Sequence, residues 1–76
     1  MIKEFDIVVL KQDLPKERLK AGDVGTVVMV HGESVAYEVE FLALNGNTLA
    51  VVELDASVVR PPAGNEIMPS RKWKRE

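Results

Sequence analysis

In the stretch "SVAYEVEF", Val35, Tyr37, Val39 and Phe41 occupy every second position while Glu38 and Glu40 fall between them. A period of two sends alternate side chains to opposite faces of an extended chain, so this segment is a half-buried strand with one dry face and one wet face. The segments on either side fit the same reading. "GTVVMVHG" is dense in β-branched residues, with Gly25 marking a bulge or a tight turn into the strand, and "HGES" turns the chain. Asn45-Gly46 in "LNGNT" is the pair favoured by a type I′ hairpin turn, whose two central residues both need positive φ. "TLAVVELD" is the returning strand.

Upstream, Phe5, Ile7 and Val9 alternate in a first strand, followed by the long polar loop "KQDLPKERLKAGD" with Leu14 and Leu19 as its anchors. Downstream, Asp55, Ala56 and Ser57 suit a single helical turn, Val58 and Val59 a short last strand, and Pro61-Pro62 halts further pairing. Five short strands, a long first loop and a helical turn before the last strand describe an all-β fold, a small five-stranded SH3-like barrel over residues 1–62. An OB-fold also has five strands, but it needs a helix where this chain has only "NGN". Residues 63–76 form a basic C-terminal extension in which Pro69 prevents a long helix. Chain ends often fray, yet Ile67, Met68 and Trp73 are more apolar than a solvated tail requires, and point to packing on the barrel or on a partner.

At 76 residues the chain makes one domain, near the size at which a single core only just offsets the entropy lost on folding. It has no cysteine, which removes disulfides, thiolate metal sites and a cysteine nucleophile together. The opening "MIKEFDIVVLKQD" lacks a signal-like apolar run and no segment approaches bilayer length, so we expect a cytoplasmic protein without membrane contact. The net charge of −2 conceals an asymmetry. Residues 21–60 carry one basic and six acidic groups, whereas residues 61–76 carry four basic and two acidic. Such a body repels phosphate.

Chemistry is sparse. His31 is the only histidine, and with Ser34 three residues on but no orienting acid or oxyanion donors it makes no nucleophilic set. Glu38 and Glu40 lie roughly 7 Å apart on one strand face, a spacing suited to acid–base pairs, but a fold this small offers no deep cleft to exclude water from them. Neither a calcium loop nor a phosphate-binding loop is present, so we expect no catalytic residues, no metal and no cofactor. "SRKWKRE" is the one basic stretch with an embedded aromatic. Cations that meet phosphates beside a ring that stacks on a base follow the logic of single-strand binding.

The motifs "FDIVVL", "GDVGTVV", "AYEVEF" and "VRP" resemble those of an uncharacterised family, of the domain-of-unknown-function kind, of small bacterial and cyanobacterial proteins; the likeness spans residues 1–61. It implies an SH3-like barrel, and some members act as partners of toxin-like proteins. A shorter likeness, through Gly22, Gly25 and Val27, is to the KOW motif of ribosomal and transcription proteins. The leading expectation is a non-enzymatic, antitoxin-like or immunity-type module that binds a basic protein, such as a toxin, through Glu33, Glu38, Glu40, Glu53 and Asp55, together with the loop from Gln12 to Gly22. The alternative is a KOW-like nucleic-acid module whose tail supplies Arg71, Lys72, Trp73, Lys74 and Arg75. Self-association through an exposed edge strand is a third reading.

Overall fold

The computed structural model describes residues 2–74. Five strands form one antiparallel sheet: β1 (Ile7–Leu10), β2 (Val24–His31), β3 (Ala36–Leu42), β4 (Thr48–Asp55) and β5 (Val59–Arg60). Their order is β4-β3-β2-β1-β5. One 3-10 turn, Pro15–Glu17, sits in the long β1–β2 loop, and a second, Ala56–Val58, leads into β5. The all-β class and the connectivity expected of a small SH3-like barrel are both present, with β4 and β5 as the two edges of the sheet.

The core lies where the alternation of β3 places it. Tyr37, Val39 and Phe41 are buried against Val8, Leu10, Val27, Leu54 and Val59, and Leu19 reaches in from the long loop. Each Val or Leu side chain buried in this way contributes about 1.5–3 kcal/mol. The backbone must approach closely here, and Gly25 permits it. A Cβ at Gly25 would stand 2.5 Å from Val39 Cγ1 and 3.0 Å from both the Glu40 carbonyl oxygen and Phe41 Cε1. Gly25 is thus required for packing, while Gly22, at φ +93°, makes the turn that precedes β2.

Three local expectations are corrected. From β1, Val8 and Leu10 join the main core cluster, and of the Phe5, Ile7 and Val9 set only Val9 is buried: Ile7 is exposed, and Phe5 lies before the strand at φ +73° and is 74% exposed. The cause is a turn at the chain start, where the Lys3 N–H donates to the Asp6 carboxylate and the Asp6 N–H to the Lys3 carbonyl. Val35 likewise falls in the β2–β3 turn and is exposed, because Gly32 and Ser34 both adopt positive φ and delay the start of β3 to Ala36. In the β3–β4 hairpin Gly46 has positive φ but Asn45 does not. Gly46 N–H donates to the Ala43 carbonyl and Ala43 N–H to the Asn47 carbonyl, which encloses a three-residue loop ending in a left-handed glycine instead of a type I′ turn. Leu49 then stands as an extra residue in β4, since Phe41 pairs with Ala50 and Leu42 with Thr48.

Candidate interaction surfaces

Residues directly opposite on neighbouring strands share a face of the sheet. Register therefore assembles the acidic residues: Glu38 faces Glu53, Glu40 faces Val51, and Ala36 faces Asp55 across β3 and β4, while Met29 faces Glu38 from β2. Four of the five acidic candidates, Glu38, Glu40, Glu53 and Asp55, are brought onto this outer face. Glu33 is not, because it lies in the β2–β3 turn. Met29 and Val51, 46% and 53% exposed, place apolar surface among the carboxylates.

These acids differ in their engagements. Glu38 Oε2 is 2.9 Å from His31 Nε2, so the histidine has, across the β2–β3 pair, a neighbouring acid not expected from the sequence. Glu40 accepts a hydrogen bond of 2.6 Å from the Thr48 hydroxyl across the strand pair. Asp55 accepts from the Ser57 N–H and hydroxyl, and these bonds, the backbone one foremost, hold its carboxyl below the usual range while starting the 3-10 turn. Glu53 has no ion-pair partner among the described residues. Opposed carboxylates at Glu38 and Glu53, with β-carbons about 5 Å apart, repel one another. No lysine or arginine occurs between Val24 and Val59 to relieve them.

The tail behaves in the opposite way: Arg71 and Trp73 bind the body of the fold, while Ile67 and Met68 stay 91% and 54% exposed. The Arg71 guanidinium donates through Nε at 2.9 Å to one oxygen of Asp23 and through a second nitrogen to the other. The same side chain reaches the Arg18 carbonyl. Burial works to raise the Asp23 carboxyl, but the hydrogen bonds from Arg71 and the Lys20 backbone outweigh it, so the group stays below its ordinary value. The Trp73 indole N–H donates to the Glu17 carbonyl at 3.0 Å, and its ring packs half-buried against the core. Nearer the barrel, Arg60 pairs through two nitrogens with Glu66, whose carboxyl is drawn down to about 2, first by Arg60 and then by the Ala63 N–H.

Of the tail residues singled out for nucleic acid, Arg71 and Trp73 are thus bound to the β1–β2 loop, Lys72 and Lys74 are exposed, and Arg75 lies outside the described residues. Two apolar grooves flank the tail. One of about 480 Å³ runs against the β3–β4 hairpin and is lined by Val24, Leu42, Leu44 and Met68, and one of about 500 Å³ runs against β1 and is lined by Ile7, Val9 and Ile67. Sequence reasoning missed Asp23, Glu17, Met29 and Val51. Asp23, the lone acid between Glu17 and Glu33, was the signal available for the tail's anchor.

No described helix is long and apolar enough to cross a membrane. No curated protein and no solved structure matches the chain. Residues 4–61 match the model of a family described as a domain of unknown function, DUF4926. That span takes in the whole sheet and most of the 76 residues, with the tail outside it, and the chain belongs to this family.

Proposed function

We propose that the chain is a non-enzymatic protein-binding module that presents the outer face of β2, β3 and β4 to a basic partner, in the manner of an antitoxin-like or immunity-type protein. The observation that carries this reading is the pair Glu38 and Glu53, directly opposed and without a neighbouring lysine or arginine, beside exposed Met29 and Val51. Like charges held opposite each other cost stability in the isolated sheet. A basic partner removes that cost on docking, and complementary charge speeds encounter while discouraging wrong pairings. The apolar pair supplies the desolvated area that charge alone does not.

The test is recovery of partners from nuclease-treated lysate of the source cell with three baits: the full chain, a chain ending at Pro62, and the Glu38→Lys/Glu53→Lys variant. One stoichiometric protein that is retained by the first two and lost by the third is the expected result. Equal retention by the charge-reversed bait would place the interface elsewhere. RNA-associated material that disappears with nuclease or with removal of the tail would favour the KOW-like alternative, which draws on Lys72 and Lys74.

A further inference from the structure

We propose that the outer edge of β4 takes up an added strand: an extended segment of the partner, basic at alternate positions, bonds to the edge backbone and sets its cations against Glu53 and Asp55. The inference rests on the acidic-face reading and supplies its mode of engagement.

The two edges of the sheet are treated differently. At one edge β5 is two residues long, and it is followed at once by Pro61 and Pro62, while Arg60 is held by Glu66. Brevity and proline are the devices by which sheets keep an edge from pairing with another chain. At the other edge β4 is eight residues long, with no proline and no lysine. Its irregularity lies between Thr48 and Ala50, so its ladder with β3 runs without a break from Ala50 to Asp55. An antiparallel edge strand turns every second N–H and C=O away from its neighbour, which leaves a row of donors and acceptors along this stretch.

The side chains on that edge select the occupant. Val51, Glu53 and Asp55 stand on the outer face of β4, and residues of an added strand on the same face would lie directly beside them. Period two then asks for cations at every second position opposite the acids and a small or apolar residue opposite Val51. A second copy of this chain offers no such segment from its own strands: β1 to β4 contain no lysine or arginine, and the single cation of β5, Arg60, is held by Glu66. Backbone bonds supply the affinity of such an addition and alternate side chains its specificity.

The test uses the full chain and synthetic peptides. The probe alternates lysine with valine, with alanine in place of the lysine that would stand opposite Val51. Its companions are the same peptide with glutamate for lysine, and two forms N-methylated at alternate backbone amides, one form for each set. An added strand turns one set of its amides toward β4 and the other toward solvent. Only one methylated form should therefore lose binding, by about tenfold or more, and β4 amides should gain protection from hydrogen exchange when the unmodified peptide binds. Glu53→Lys, which places on the edge a residue that blocks pairing, should abolish binding with the fold intact. Loss with both methylated forms, or with neither, overturns the added strand. If the lysine peptide binds with no preference between methylated forms, the acidic face survives as a charge-driven surface and the edge mechanism alone falls. Absence of binding by any peptide also overturns the edge mechanism, and the lysate experiment above then decides the acidic face separately.

Discussion

The tail and the outer face of β2–β4 carry opposite charge and use it in opposite ways. In the tail, Arg71 meets both oxygens of Asp23 and Trp73 closes over the β1–β2 loop, so these two groups are engaged within the chain while Lys72 and Lys74 stay exposed. On the acidic face, register sets Glu38 against Glu53, and the surrounding sequence holds no lysine or arginine, His31 meeting Glu38 instead. Paired charges hold a structure together, whereas like charges held opposite each other cost stability. The difference teaches that residues of a basic, aromatic stretch can fasten a chain to itself, while acids on the wet face of a strand pair can stand opposed with no lysine or arginine beside them.

The largest expected effect comes from undoing the packing beneath both regions. Gly25→Ala forces a methyl into Val39, Phe41 and the Glu40 carbonyl, and should destabilise the domain by about 1–3 kcal/mol. Urea denaturation would measure it, and the tail and the acidic face should fail together. Next is Trp73→Ala, which strips the ring from the core margin and the indole bond from Glu17; a loss of about 1–2 kcal/mol is expected, with the partner binding proposed for the acidic face unchanged. Loss of partner as well would show that the two regions are not independent.

A smaller effect follows from pH. The Asp23 carboxyl titrates lower in the folded chain than in the unfolded one, so it contributes stability above the ordinary aspartate value of about 3.9 and loses it as pH falls through the folded value. Acidification should therefore release Arg71 and shift the emission of the single tryptophan, Trp73. Asp23→Asn, uncharged throughout, should show the released spectrum at neutral pH and no transition from this source in acid.

The parts legible in the sequence were those governed by local pattern. The alternation of Tyr37, Val39 and Phe41 with Glu38 and Glu40 assigns both faces of β3, and Pro61-Pro62 marks the end of β5. Phe5 and Val35 misled because hydrophobicity signals burial only while the backbone stays extended, and turns with positive φ sit at Phe5 and immediately before Val35. The glycine of Asn45-Gly46 is where a turn needs it, but the count of residues around it, which depends on the bulge at Leu49, sets the turn type. The Arg71–Asp23 pair spans 48 residues, and no local rule connects its two ends. The opposition of Glu38 and Glu53 is likewise a product of register, invisible until the strands are paired.

The most direct measurement is the urea midpoint of two charge reversals, one in each region. Arg71→Glu should lower the midpoint, because it replaces a paired cation by a carboxylate facing Asp23. Glu53→Lys should raise it, by the equivalent of about 0.2–1 kcal/mol, because a cation then stands opposite Glu38. Opposite signs would establish that charge in the tail serves the fold and charge on the acidic face is held against it. A fall in both midpoints would contradict the account, since the Glu38–Glu53 pair would then be part of what keeps the sheet together.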